Sequence, residues 1–203
     1  MVDAATSRGY GGVLLKDDSL SYFGGVWPED VRVDRIIPIF VLEALAAILG
    51  TLTWGHLFRG KKIILRSDSS NTCGAFNNLK SDNTALRLLS HLWAECQEEF
   101  EFEGLLFHCP GKDNQCADIA SRFEEGDIEE GLRVELDSYG LQSVEISRNE
   151  TVWRVNAVSA RLIPQLTALS LEAHAANAER KKNENLQQFI ASGKGDTGDS
   201  SDF

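Results

Sequence analysis

The chain has 203 residues, 42% of them hydrophobic, which suits one domain with a proper core plus a tail or a small appendage. Its formal net charge of −11 is uneven: residues 1–122 carry 12 Lys and Arg against 16 Asp and Glu, and residues 123–203 carry 8 against 15. A free-standing nucleic-acid binder is expected to be basic, so this balance argues against strong unaided phosphate binding and leaves a tethered binder open.

From the N-terminus, "YGGVLLKDDSLSYFGGVW" holds two strand-like runs, Gly11–Lys16 and Leu20–Trp27, around a short polar turn, which predicts a hairpin. The segment from Pro38 to about Leu57 lacks strand alternation and is apolar almost all round, so it predicts a buried helix. Its densest stretch, "IIPIFVLEALAAILG", is too short for a membrane span and contains Pro38 and Glu43. "KKIILRSD" reads as a short strand ending on Asp68, and Ser69 and Ser70 offer hydroxyls to cap a following helix. An amphipathic helix is expected from Asp82 to about Phe102, with Leu86, Leu89, Leu92, Trp93 and Cys96 on its apolar side. "LLFHC" (105–109) is a further strand, Pro110-Gly111 a turn, and 113–122 a short last helix. Strands interleaved with helices predict an α/β fold, a mixed sheet covered by helices.

After Phe123 the texture changes. Residues 124–164 read as an acidic linker followed by a small hairpin built from "RVELD", "VEIS" and "TVWRV"; 165–190 read as a helix; 191–203 read as a disordered tail. The "DTG" triplet in that tail reads as chance, and the Asn149-Glu150-Thr151 sequon carries little weight without secretion. Cys73, Cys96, Cys109 and Cys116 show no CxxC pairing. Free thiols in a reducing compartment, cytoplasm or nucleus, are expected. His108, Cys109 and Cys116 lack a fourth zinc ligand and fit no common finger spacing.

Four acids stand out by position: Asp3 before the hairpin, Glu43 inside the apolar helix, Asp68 at a strand end and Asp118 on the last short helix. Taken singly, Asp3 reads as a solvated terminal residue, Asp68 as a helix-capping group and Asp118 as surface decoration. Glu43 is different. Its neighbours at helical spacing include Ile39, Phe40, Ala46 and Ala47, and a carboxylate on an apolar surface is costly without a partner. Brought together, the four would repel one another unless cations sat between them, and oxygen donors of this kind select Mg²⁺ or Mn²⁺. Two such ions about 4 Å apart are an apparatus for phosphodiester hydrolysis.

"VDAATSRGYGGVL", "VLEALAAILG", "LRSDSSNTCGAFNN" and above all "HCPGKDNQCADIASR" resemble the motifs of ribonuclease H domains, the last one matching the H-x-P-G-x-x-N-x-x-A-D-x-x-S-R close of retroelement members. The resemblance covers about residues 2–123 and is nearest to the domain that follows reverse transcriptase in retrotransposons, with "LRSD…L..LL..LW" spacing like that of the tyrosine-recombinase (DIRS-like) group. It implies a ribonuclease H-like fold, two Mg²⁺ or Mn²⁺ ions held by Asp3, Glu43, Asp68 and Asp118, and hydrolysis of the RNA strand of an RNA–DNA hybrid. It also implies a reverse-transcriptase domain as partner in cis or in trans, and no membrane. Asn71, His108, Lys112 and Arg122 become candidate substrate contacts; His108 reads either as a structural histidine at a strand end or as a group near the scissile phosphate.

The chain departs from that pattern in three respects. The mobile histidine of the cellular enzymes aligns near Gly111 and has no holder. Their basic substrate-gripping loop is absent, since Asp68 to Asp118 contains only Lys80, Arg87 and Lys112. The family's central first strand begins several residues before its aspartate, whereas two residues precede Asp3, so a shortened first strand is expected. A non-catalytic remnant or domesticated interaction module is therefore the alternative reading. A transposase or integrase is weaker, because its acids run Asp, Asp, Glu.

Overall fold

The computed structural model describes residues 1–124, 126–149 and 152–192. Along the chain run β1 (Val2–Ala4), β2 (Gly9–Lys16), β3 (Ser19–Val26), α1 (Glu29–Asp34), α2 (Ile39–Trp54), β4 (Lys62–Ser67), α3 (Ser70–Asn78), α4 (Thr84–Glu99), β5 (Glu103–His108), α5 (Gln115–Arg122), α6 (Ile128–Ser138), β6 (Glu145–Arg148) and α7 (Val152–Ser192). The fold is mixed α/β. A four-stranded mixed sheet has the order β1-β2-β3-β6, antiparallel except for the parallel β3/β6 pair, and β4 and β5 form a separate parallel pair.

Strand alternation divides the sheet into two faces. Val2, Ala4, Tyr10 and Phe23 turn to one side and pack with α2, which is buried all round from Val41 to Leu49 apart from Glu43. Asp3, Gly11, Val13, Leu20, Tyr22 and Gly24 turn to the other side, where α5 and α6 close a smaller core with Cys116, Ala120, Ile128, Leu132 and Leu136. Aromatic rings fill the first core: Trp54 meets Phe23 edge-on with centroids 5.2 Å apart, and Tyr10 lies against Trp27 at 4.6 Å. Asn77 blocks the outer edge of β5, its amide donating to Leu106 O at 2.8 Å and its carbonyl accepting from Leu106 N at 2.9 Å.

The predicted hairpin, buried helix, first-core strands and amphipathic helix are all present, with α4 capped by Asn83, whose side chain accepts from Leu86 N at 2.9 Å. Three expectations differ. The stretch Ile39–Leu57 is 19 residues long and apolar enough by length and composition to cross a membrane, where the apolar run over 36–50 had read as too short for a span, and most of it is buried inside the fold. The hairpin expected within 132–158 does not form: Arg133–Asp137 belong to α6, because Ile128, Leu132 and Leu136 repeat at helical spacing and bury against α5. "VEIS" does supply a strand, β6, but it joins β3 in parallel, and residues 152–155 of "TVWRV" open α7, with Thr151 outside the described residues. The helix expected over 165–190 begins 13 residues earlier, at Val152, and passes through Pro164. Of the tail expected over 191–203, residues 193–203 lie outside the described residues, the "DTG" triplet included.

Candidate active site

Asp3 sits in the middle of β1 with 4% exposure, and the alternation that sends Val2 and Ala4 into the α2 core turns its carboxylate towards α5. There Ser121 Oγ lies 2.5 Å from Asp3 Oδ2 and 3.0 Å from the carbonyl of Asp118. Burial pushes the Asp3 carboxyl above its ordinary range, the Ser121 hydrogen bond opposes this, and the charges of Asp68 and Asp118 add to the rise. Asn114 ties the same two elements together, its Nδ2 donating to Val2 O at 3.1 Å while its backbone carbonyl accepts from Asp118 N at 3.0 Å.

Asp68 follows β4 directly. Its Oδ1 is buried with no hydrogen-bond partner among the described residues, and the Pro110-Gly111 turn stands beside its other oxygen: a Cβ on Gly111 would lie 3.4 Å from Oδ2. Ser69, the next residue, caps α3 by accepting from Thr72 N at 3.4 Å, and Thr72 Oγ1 lies 3.0 Å from Phe40 O, so the start of α3 is fastened to the first turn of α2. That fastening brings Glu43 to Asp68. Burial raises the Glu43 carboxyl to about 7, a hydrogen bond from Ser69 works against it, and the charges of Asp68 and Asp3 push the same way as burial. Asp118, on α5, is half-buried and paired with the Arg122 guanidinium one turn on.

Asp3 thus lies within electrostatic reach of Glu43, Asp68 and Asp118, and Glu43 also within reach of Asp68, the four coming from a strand, a helix, a strand end and a second helix. Arg122 belongs to the same cluster, since Asp118, Asp3 and Asp68 all raise its guanidinium's affinity for its proton. The other three candidate contacts stand at the rim. Asn71 is exposed in the first turn of α3, His108 is exposed at the end of β5 opposite Ser67, and Lys112 is exposed in the turn before α5. Among the described residues none of these three has a hydrogen bond or ion pair to the acids.

Among the described residues no three His, Cys, Asp or Glu side chains are placed to hold one metal ion, so a shared ion requires side-chain rotation. The donor set nevertheless fits a hard divalent cation: oxygen ligands alone, mutually repelling, with the orphaned Asp68 Oδ1 among them. The four cysteines are free and buried, and burial pushes the Cys73 thiol up to about 11 and the Cys96 thiol up to about 12. Inert structural thiols fit those values. The sequence reading missed Ser121, Asn114 and Ser69 as positioning residues, although the first two lie inside the quoted "NQCADIASR" and Ser69 was named as a cap. Comparison with family models, with curated proteins and with solved structures gives no match.

Proposed function

We propose that the chain is a ribonuclease H-like domain of retroelement origin, a metal-dependent endonuclease that cuts the RNA strand of an RNA–DNA hybrid. The observation that carries this reading is the convergence of Glu43, Asp68 and Asp118 on Asp3, with a buried Asp68 oxygen that has no hydrogen-bond partner among the described residues. Asp3, Glu43, Asp68 and Asp118 would hold two Mg²⁺ or Mn²⁺ ions. When bound, such ions supply an activated water and charge neutralisation at the leaving oxygen.

The remaining work falls to the chain itself. Ser121 and Asn114 fix Asp3 and Asp118 relative to each other, and Ser69 holds Glu43 against Asp68. Arg122 offers a guanidinium beside the acids for a non-bridging phosphate oxygen. A hybrid would be recognised by shape and 2′-hydroxyls, without base readout. A net charge of −11 gives little unaided hold on a polyanion, and a reverse-transcriptase domain in cis or in trans would supply it by effective concentration. A second reading, a non-catalytic interaction module, draws support from the three-residue β1 and the absence of a preset ion site among the described residues.

The test is cleavage of an end-labelled RNA–DNA hybrid in Mg²⁺ and in Mn²⁺, with double-stranded DNA as control. The wild-type chain should cut the RNA strand and spare the DNA duplex, and Asp68→Asn should abolish cutting while unfolding at a similar temperature. A folded wild-type chain inert in both metals supports the second reading, and equal activity in Asp68→Asn removes the metal-site assignment.

A further inference from the structure

A cleft of about 690 Å³ adjoins the acids. Ser121, whose Oγ bonds Asp3, forms part of its wall together with Gly24, Gly25 and Phe123. Among the described residues lining it, the charged ones are Arg8, Arg32, Arg148 and Glu124, three positive against one negative in a chain whose net charge is −11. The fold gathers these guanidinium groups from distant elements. Arg8 follows β1, Arg32 lies on α1 and Arg148 ends β6. Arg8 and Arg32 are both fastened to the backbone of Trp27: Trp27 N donates to Arg8 O at 3.0 Å, and Arg32 Nε donates to Trp27 O at 3.0 Å. Arg148 stands opposite Tyr22 in the β3/β6 ladder, and its charge reaches Tyr10 and Tyr22.

Glu124 accepts from Arg8 at 2.9 Å, and its side chain is 75% exposed. An exposed pair of this kind contributes little to stability, so another oxyanion can take the carboxylate's place at small cost. Phe123 is 46% exposed, with its ring beside α6, where a Cβ at Gly131 would lie 3.8 Å from it. Guanidinium groups for phosphate oxygens and an open aromatic ring for the face of a base are the elements of single-strand recognition. A cleft of this size encloses a small ligand. It admits one unpaired nucleotide and excludes a duplex, which is read from outside by its shape.

We propose that this cleft is a subsite for an unpaired nucleotide of the strand that lies across the acids, taking its phosphate on Arg8 and Arg32 in place of the Glu124 carboxylate and its base against Phe123. The inference rests on the ribonuclease reading, which puts a strand at Asp3, and adds a preference to it. A hybrid with a single-stranded RNA extension is favoured over a blunt one. Glu124 is the stand-in for the phosphate, holding Arg8 until the strand arrives. An acidic peptide would meet the same guanidinium groups, but it has no base to lay on Phe123.

The test is fluorescence anisotropy at low salt on the full chain carrying Asp68→Asn, so that cleavage does not enter, with labelled RNA–DNA hybrids that are blunt or carry a short RNA overhang at the 5′ or the 3′ end. One overhang should bind at least about tenfold tighter than the blunt hybrid. Replacing Arg8 and Arg32 together by Ala should bring that ratio close to one and make the salt slope for the overhang hybrid shallower by about 1.4, the share of two phosphate contacts. Phe123→Ala should lower the ratio and leave the slope unchanged, and Glu124→Gln should raise it. Arg59→Ala is the matched control, since it breaks an exposed 2.9 Å pair with Glu101 at the opposite end of β4 from Asp68 and should leave the ratio as it is. Unfolding temperatures check every variant, and Phe123→Ala with Glu124→Gln decide if the arginine pair unfolds the chain. The inference falls if neither overhang is preferred, if the folded arginine variant keeps the preference, or if Phe123→Ala and Glu124→Gln leave it unmoved. It also falls if poly-glutamate displaces the overhang hybrid as readily as single-stranded RNA of equal charge, which would make an acidic peptide the occupant. A wild-type chain that cuts no hybrid yet shows the arginine-dependent preference fails the ribonuclease reading and keeps the subsite.

Discussion

A carboxylate that must be buried before it has its cation is the dominant physical fact at Glu43. Its folded value of about 7 lies above the ordinary 4.5, so the metal-free chain gains the full benefit of a neutral Glu43 below about 4.5 and loses it as pH rises through about 7. Asp3, also raised, acts in the same direction. The unfolding temperature of the metal-free chain should therefore fall between pH 5 and pH 7.5, Glu43→Gln should flatten most of that slope, and saturating Mg²⁺ should offset it by binding the ionised form. A wild-type profile that is flat or rising, or one that Glu43→Gln leaves unchanged, would contradict this account. Glu43 was legible in the sequence because its helical neighbours are apolar on every side. Ser121 was not, because its burial is decided by β1, 118 residues away, and a serine on a short helix has no local pattern that reports such a crossing.

At the level of elements, α5 rests on bare strand backbone. A Cβ at Gly11 would stand 2.3 Å from the carbonyl carbon of Ala120, and one at Gly24 would stand 2.6 Å from its oxygen. Neither glycine has a positive φ, so close approach and not backbone freedom requires them. Gly11→Ala should push α5 outward, costing about 1–3 kcal/mol by overpacking. Because α5 carries Asp118 and Ser121, cleavage measured well below the unfolding temperature should fall further than that loss implies. Gly74→Ala in α3 is the control, since its Cβ meets nothing within 4 Å and a helical Gly→Ala change should leave cleavage intact. If the two variants cleave equally well, the contact between α5 and the strands does not position the site. The glycine-rich hairpin itself was readable from its two apolar runs, but the reason for its glycines was not, since the helix they admit is almost a hundred residues downstream. Helix α1 escaped notice for a simpler reason: four of its six residues are charged and Val31 is its one buried side chain.

At the level of the whole molecule, α6, β6 and the first half of α7 are part of the packed fold. Strand β6 extends the sheet, α6 supplies most of the smaller core's floor, and the first half of α7 docks on α2 and α4 through Leu162, Ile163 and Leu166. That docking was hidden in the sequence because the apolar positions that bury occupy a short part of a 41-residue helix whose described side chains from Leu171 onward are nearly all exposed. Alanine, glutamate and lysine in that outer half dominate any reading of periodicity, and the strand reading of "RVELD" followed local β-branched content where the burial of Leu132 and Leu136 imposed a helix. Leu166 gives the sharpest test, being 0% exposed within the main core. Leu166→Ala should cost about 2–5 kcal/mol, as for a buried leucine in any well-packed interior, out of a total on the order of 5–15 kcal/mol. Chemical denaturation should show one cooperative transition moving to lower denaturant with an unchanged slope, because α7 and the sheet share one core. Leu171→Ala, on the exposed part of the same helix, should move the midpoint little. If Leu166→Ala proves as mild as Leu171→Ala, or if the transition splits in two, α7 is an appendage and the core ends at α6.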